Sequence, residues 1–433
     1  MKKIEVDIVD LSSTGEGVGR VNQKVIFVDG ALPGERILAQ VEVEKKSYLK
    51  GSLLEVLNSS PFRREAPCPH FDLCGGCQLQ HLDYPAQLEQ KKKRVTDALE
   101  RIGEIPQPLV HPPIASHEEF YYRSKIQLPT HFDKKTLLGL YKKRSHEIVP
   151  IETCMLHTRV GERLFQKLKM ALHSLGEISE LNYVLIKSTA KSEKVLLTFI
   201  VEKPASQTLK ELAKKMMEEE PQLVGVVENL NQRGDNVILG TEFRTLCGKD
   251  HLMEELLGLQ FKISSASFFQ VNVFQRENLY LKALEYLQPE RNDRVLDAYC
   301  GVGAFSLIAS SHCKQVTGME YVSEAVEDAK ENAKRNQIEN CLFVQGDVAK
   351  LLRKSAPFDL ILLNPPRKGC DKEVLEAVIE QKPKRLVYIS CNPATLARDI
   401  RLLQEGGASF IEAKPVDLFP QTMHIETVAL LEF

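Results

Sequence analysis

Hydrophobic and polar positions change rhythm three times along this chain. In residues 1–57 apolar positions alternate with polar ones over short stretches, "KIEVDIVDL", "GVGRV", "KVIFVD", "RILAQVEVEK" and "YLKGSLLEVL", parted by Gly/Pro turns such as "GALPGE". A period of two bounded by such turns predicts strands. Five strands in so few residues protect their edges by closing into a small OB-like barrel. A Pro-rich stretch, "SSPFRREAPCP", follows. Over 58–285 the pattern is mixed, with helical periods ("QLEQKKKRVTDALERIG", "TLKELAKKMMEEE") beside strand-like runs ("NYVLIKST", "KVLLTFIVE"). In 286–433 the rhythm is strict. The runs "DRVLDAY", "QVTGME", "CLFVQGD", "FDLILLN" and "KRLVYIS" alternate with helical stretches, which predicts a parallel, doubly wound sheet. The tail "PVDLFPQTMHIETVALLEF" has no helix between its extended halves and predicts a closing antiparallel hairpin. The expected class is α/β: a Rossmann-like domain at 286–433, a barrel at 1–57 and a mixed α+β domain at 58–285.

Composition narrows the setting. The 433 residues are 43% hydrophobic and 27% charged, with a net charge of −2, as in ordinary globular proteins. No apolar run approaches the roughly 18 residues of a membrane span. The amino terminus alternates too soon for a signal peptide, so a cytoplasmic monomer with no membrane partner is expected. Ten cysteines in a reducing compartment are metal ligands, nucleophiles or core filler rather than disulfides. The charge is uneven: residues 91–144 hold 12 Lys and Arg against 6 Asp and Glu. The clusters "KKKR", "YYRSK" and "YKKR" set tyrosines among cations, which suits a phosphate-lined, base-stacking partner such as RNA. The alternative is a solvated helix face with two exposed strands.

"VLDAYCGVGAFSL" is a strand, a glycine pair and a helix. Glycines let a ligand approach the backbone, and the helix start supplies free N–H donors. Ser306 occupies the place of the third glycine of a dinucleotide fingerprint, which argues against a nicotinamide enzyme. Asp297, Glu320 and Asp347 end three successive strands. Asp297 suits a cationic amine or the ordering of the loop, Glu320 ribose hydroxyls, and Asp347 the adenine side. Each acid alone is more often a helix cap or surface charge. Together they indicate an S-adenosylmethionine site.

The fourth strand ends in "LLNPPRKG" and the fifth in "LVYISCNPATLARDI". Methylases of exocyclic amines carry an aromatic after Asn-Pro-Pro; here Arg367 stands there, and that chemistry leaves Cys391 idle. A cysteine is needed at a carbon target. C5 of uracil becomes nucleophilic only once a thiolate has added at C6, and a base must then remove the C5 proton. Cys391 and Glu426, in "MHIETVALLEF", supply the two groups. Helix donors after Cys391, with Arg398 nearby, are expected to lower the thiol pKa. As alternatives, Cys391 is a buried core thiol and Glu426 an exposed strand acid.

"CPHFDLCGGC" spaces Cys68, Cys74 and Cys77 as C-x5-C-x2-C, a thiolate metal pattern open to zinc, with His70 or His81 as fourth ligand, or to an iron–sulfur cluster. Cys247, Cys300, Cys313, Cys341 and Cys370 have no such grouping and read as filler.

"LNPPRKG", "SCNPATLARD" and "FPQTMHIETVALL", in that order, resemble the signatures of the RNA (uracil-5-)-methyltransferases, and the resemblance spans the chain as a TRAM barrel, a central domain and a class I methyltransferase domain. It implies Cys391 as nucleophile and Glu426 as proton-abstracting base. It implies cofactor contacts from Gln270, Tyr299, Glu320, Asp347 and Asn364, the last standing where the family usually has Asp. Ala304 would contribute backbone only. It also implies a [4Fe-4S] cluster on Cys68, Cys74, Cys77 and Cys154. Barrel and cluster together resemble the members acting on 23S ribosomal RNA more than the tRNA members. The competing readings are a tRNA methylase, an exocyclic-amine methylase, and an RNA-binding module whose catalysis has lapsed.

Overall fold

The computed structural model describes residues 2–233 and 237–433. Strands Lys3–Leu11, Gly17–Val21, Lys24–Asp29, Arg36–Glu44 and Tyr48–Asn58 close into the expected barrel, in the order first, second, third, fifth, fourth. Val6, Ile8, Ile26, Val28, Ile37, Ala39 and Leu49 fill it. Gly19 is required there: a Cβ would lie 2.6 Å from Val6 and 2.7 Å from the Asp7 carbonyl. The barrel is fastened to the rest of the molecule by Lys93–Asp10 (2.7 Å), Arg144–Glu16 (2.6 Å) and Lys143–Asp29 (3.3 Å).

The mixed region resolves into one seven-stranded sheet, ordered Glu242–Gly248, Leu223–Leu230, Val195–Val201, Leu181–Ser188, Lys125–Asp133, Lys135–Tyr141 and Ile148–Pro150. Helices Arg159–Leu175 and Gln207–Glu219 bury Leu164, Leu168, Leu209 and Met216 against it. A hairpin absent from the sequence-based expectation, His251–Leu256 with Leu259–Ser264, joins the next layer by packing Leu252, Phe261 and Ile263 with Val302 and Phe305.

That layer is the expected doubly wound sheet, ordered Cys341–Gln345, Gln315–Glu320, Arg294–Ala298, Leu360–Leu363, Arg385–Ser390, Glu426–Glu432 and Ser409–Val416. The first five strands are parallel, and Glu426–Glu432 inserts antiparallel between the last two neighbours. Both faces are covered. Val295, Leu360, Leu362, Val387 and Ile389 join one apolar cluster, and Leu296, Ile361, Leu363, Leu386 and Tyr388 the other. Burial on both sides is why these strands read as continuous apolar runs. Residues 84–114 also pack on this sheet. Val95, Leu99 and Val110 share its second cluster, and Val110 and Ile114 bridge to Ala413 and Val416.

The basic clusters differ from the RNA-facing expectation. Lys91 is fully buried, with its Nζ 2.7 Å from Asp417 Oδ1 and 3.0 Å from the Phe419 carbonyl. Lys93 pairs with Asp10 and Asp97, and Arg94 donates to the Met423 carbonyl. In "YKKR", Lys142, Lys143 and Arg144 pair with Glu147, Asp29 and Glu16. Tyr122 is buried, its hydroxyl donating to the Pro420 carbonyl at 2.9 Å. Most of these cations hold layers together: Lys91, Lys93, Lys143 and Arg144 each reach an acid far away in sequence, while Asp97 and Glu147 are local partners of Lys93 and Lys142. The Lys91–Asp417 pair gives a direct test. Lys91→Met should cost about 3–5 kcal/mol in urea denaturation, because an unpaired buried carboxylate remains, and adding Asp417→Leu should recover most of the loss. Equal stability of Lys91→Met and wild type would show that the pair is not desolvated.

Candidate active site

Register brings the two chemically distinctive side chains of the sequence together. Ser390 pairs with Thr427 in the antiparallel ladder between Arg385–Ser390 and Glu426–Glu432. Cys391 directly follows Ser390 and Glu426 directly precedes Thr427, and the charge of Glu426 acts on the Cys391 thiol. Asn392 then accepts from the Ala394 N–H and, with Pro393, starts helix Pro393–Glu405. Arg367 is the third member. Its carbonyl accepts from Asn392 Nδ2 (3.2 Å) and Thr395 Oγ1 (3.3 Å), and its guanidinium lies 3.3 Å from His424 Nε2.

Electrostatics couple the three. Burial pushes the Glu426 carboxyl up to about 8, with Arg367 opposing. Burial also raises the Cys391 thiol, the nearby Glu426 adds to this, and Arg367 works against both through its charge and a hydrogen bond. The expected lowering of the thiol by helix donors and Arg398 is therefore overturned, because desolvation outweighs the donors. Arg398 is also engaged elsewhere, with Asp399 (2.6 Å) and the carbonyls of Lys368 (3.0 Å) and Cys370 (3.3 Å). The cation beside the thiol is the residue that replaces an aromatic in "NPPRKG". Sequence reasoning used Arg367 only to exclude amine methylation; its position four residues after the end of strand Leu360–Leu363 was the available signal.

The carboxyl edge of the parallel strands gathers most of the expected cofactor residues. Gly301 (φ +54) has open space where a Cβ would be, while Gly303 (φ +80) faces Phe343 at 2.8 Å and admits no side chain. Glu320 Oε2 accepts from the Gly301 N–H (3.1 Å), tying the second strand end to the glycine loop. Its other oxygen accepts from the N–H groups of Tyr321 (2.8 Å) and Val322 (3.0 Å). Tyr299 holds φ +65 and its N–H donates to the Met319 carbonyl (2.9 Å). Asn364 N–H donates to the Ala298 carbonyl (3.3 Å), so Asn364 and Tyr299 end neighbouring strands. Asp347 caps helix Val348–Lys354 through the Lys350 N–H (2.9 Å). Asp297 is buried, accepts from Ser306 Oγ at 2.6 Å, and is raised by burial to about 7 with that hydrogen bond opposing. It ties the strand end to the helix after the glycine loop, and Ser306, the departure from the dinucleotide fingerprint, is its partner. Gln270 is on the segment before helix Arg276–Leu287, between Phe269, which packs in one cluster with Val302 and Phe305, and Val271, whose carbonyl accepts from the Ser124 N–H (2.8 Å).

Cys68, Cys74, Cys77 and Cys154 line a single cavity of ≈ 190 Å³, with Arg123 at its wall. Burial raises the thiols of Cys74, Cys77 and Cys154. Among the described residues no three His, Cys, Asp or Glu side chains are grouped to hold one metal ion. Cysteine thiols are soft donors, and these four share the one cavity. All ten cysteines are free.

A doubly wound sheet with a glycine loop and carboxylates along its carboxyl edge is the arrangement of an α/β enzyme domain that binds a nucleoside-bearing cofactor. Comparison with known proteins specifies it. The profile of the tRNA (uracil-5-)-methyltransferase family matches residues 83–433, and that of the TRAM domain matches residues 2–54. An uncharacterized RNA methyltransferase of Halalkalibacterium halodurans is 41% identical, the alignment covering 99% of this chain and 96% of the relative. Another, from Caldanaerobacter subterraneus, is 39% identical over 100% and 98% of the two chains. Among solved structures, the tRNA (uracil-54, C5)-methyltransferase of Pyrococcus abyssi, in complex with S-adenosyl-L-homocysteine, superposes with a TM-score of 0.79 at 26% identity, over 99% of each chain. The chain belongs to the RNA (uracil-5-)-methyltransferase family and is an S-adenosylmethionine-dependent enzyme carrying a TRAM domain. Among the described residues no helix is long and apolar enough to cross a membrane.

The buried carboxyl makes stability depend on pH. Folded Glu426 keeps its proton to about 8, whereas the unfolded chain releases it near 4.5. Between those values the folded state holds the extra proton, so this group lowers stability as pH rises. Relative to Glu426→Gln, the wild type should lose up to about 1.4 kcal/mol per pH unit across that window. Urea denaturation of both proteins without RNA, at several pH values, measures this; a pH-independent difference would mean that Glu426 is ionised throughout.

Proposed function

We propose that this enzyme methylates C5 of a uridine in RNA through a covalent bond between Cys391 and C6, with Glu426 as the base that completes the reaction. The observation that carries the proposal is that the ladder ending at Ser390 and Thr427 leaves Cys391 and Glu426 side by side, each acted on by Arg367, at the carboxyl edge of the sheet. S-adenosylmethionine, when bound, supplies the electrophilic methyl group, and Tyr299, Glu320, Asp347 and Asn364 are proposed to hold it, with Gln270 reaching in from the neighbouring segment. Two adjacent anions in a buried pocket repel, so one of the pair ionises at a time, and Arg367 stabilises that one. Ionised Cys391 adds to C6, and the ring electrons move to make C5 nucleophilic. C5 takes the methyl. Ionised Glu426 then removes the C5 proton, the C5–C6 double bond re-forms, and Cys391 leaves as thiolate. Glu426 is neutral while Cys391 is ionised; once the thiolate charge is spent in the bond to C6, Glu426 releases its proton to solvent and is ionised for elimination, as a carboxyl held near 8 allows.

The proposed substrate is 23S ribosomal RNA. Whole-chain likeness to a tRNA (uracil-54, C5)-methyltransferase favours tRNA as a second reading, since an enzyme of this complete architecture bears that name. Mass mapping of 5-methyluridine in both RNAs from a deletion strain separates them. The four cysteines are proposed to hold a [4Fe-4S] cluster with a structural role, on the support of their shared cavity.

Two outcomes are expected. Cys391→Ala should abolish methyl transfer while retaining RNA binding, and Glu426→Gln should accumulate a denaturation-resistant, RNase-sensitive enzyme–RNA adduct, read on a denaturing gel. Near-normal activity of Cys391→Ala would make the thiol core filler and end the mechanism. Protein purified anaerobically should carry about four irons and four sulfides per chain, lost in Cys77→Ala. A colourless, fully active preparation with one zinc would remove the cluster from the reading.

A further inference from the structure

The loop 417–425 joins Ser409–Val416 to Glu426–Glu432 and has no regular structure of its own. Its placement is borrowed, and Gln421 is where most of the borrowing occurs. Gln421 is fully buried at φ +70, a conformation that side-chain-bearing residues keep only where their surroundings enforce it. Its N–H donates to Gln87 Oε1 (3.0 Å), and its carbonyl accepts from the N–H groups of Gln78 and Leu79 (3.0 Å each). Its side-chain oxygen accepts from Gln87 Nε2 (3.0 Å) and Arg64 Nη2 (3.0 Å), and its Nε2 donates to Glu119 Oε2 (2.9 Å). Met423 adds an N–H donated to Gln78 Oε1 at 3.4 Å.

Gln78 and Leu79 directly follow Cys77. Gln80 turns back to the thiols, its side-chain oxygen accepting from the Cys68 N–H (3.2 Å) and its side chain hydrogen-bonding the Cys77 thiol. One short segment therefore presents thiols to the cavity on one side and grips Gln421 on the other. Five residues beyond Gln421 stands Glu426. None of these bonds involves Tyr299, Glu320, Asp347 or Asn364, so the linkage runs to the carboxyl and bypasses the cofactor edge.

We propose that Gln421 is the positioning residue of the loop that presents Glu426, and that the thiol segment 68–82 is its anchor, so that the state of the four-cysteine cavity is transmitted to the carboxyl rather than to the cofactor. This rests on the proposed roles of Glu426 and of the cysteines. Loosening the anchor leaves methyl transfer possible and slows proton removal from C5, which strands the enzyme on its RNA.

The test compares full-length, anaerobically purified wild type with Gln421→Ala, with Gln87→Met, and with wild type stripped of metal by chelation. Three quantities are read: amide hydrogen exchange of residues 418–426, affinity for S-adenosylhomocysteine, and the fraction of enzyme trapped as RNA adduct. In the two variants, losing two or more buried hydrogen bonds should speed exchange by about tenfold or more, and loosening the anchor by chelation should speed it in the same direction. Cofactor affinity should stay within about twofold, because no lost bond touches that edge, and the adduct should accumulate in all three. Gln87→Met removes the same bridge from the helix side and decides the matter should Gln421→Ala fail to fold. Unchanged exchange in the loop overturns the proposal, and so does a parallel loss of cofactor affinity. If Glu426→Gln traps no adduct, the catalytic reading has failed, while the exchange rates still decide the clamp.

Discussion

A single antiparallel register sets the surroundings of Cys391 and Glu426. Glu426–Glu432 threads between Arg385–Ser390 and Ser409–Val416, pairing Ser390 with Thr427 on one side and Val416 with Glu426 on the other. Side chains alternate faces along a strand, so a slip of one residue would turn Glu426 away from Cys391. The apolar residues of the same strand prevent the slip. Val428 belongs to one core cluster and Ala429 and Leu431 to the other, so exchanging faces would break both.

Inserting a strand this way obliges the chain to return over the carboxyl edge through residues 417–425. Much of the central region serves that return. Lys91 neutralises Asp417, Tyr122 holds the Pro420 carbonyl, Asn272 the Leu418 carbonyl at 3.1 Å, and Arg94 the Met423 carbonyl. Burying a charged pair contributes little net stability, but breaking one is costly, so such pairs fix geometry more than they add free energy. The helix Tyr84–Arg101, which looks in sequence like an independent basic element, acts as a brace for the loop.

Within the site, low polarity does the tuning. Glu426 and Cys391 are both raised by burial, and Arg367 is the opposing charge common to both. Asp297, also raised by burial, is kept in place by Ser306 and shapes the glycine loop from beneath. Two acids in one sheet thus divide the work: Asp297 orders the loop of the cofactor edge and Glu426 faces the thiol.

What the sequence determined by itself was whatever depends on local pattern. The barrel strands, the alternation of strand and helix after residue 286, the glycine loop and the terminal hairpin all follow from periodicity and turn residues, which act over a few positions. The pairing of Cys391 with Glu426 was legible because each ends or begins a strand beside an unmistakable motif. The tertiary structure alone decided which charges meet. Within the basic run at 91–94, Lys91 meets Asp417 and Lys93 meets Asp10, hundreds or scores of residues away, so no local count of cations distinguishes a brace from an RNA surface. The same limit applies to Arg367 and Arg398: both are near Cys391 in sequence pattern, yet only packing turns one toward the thiol and the other toward Asp399. Desolvation, which set the direction of every shift at this site, is a property of the filled interior and has no counterpart in the order of residues along the chain.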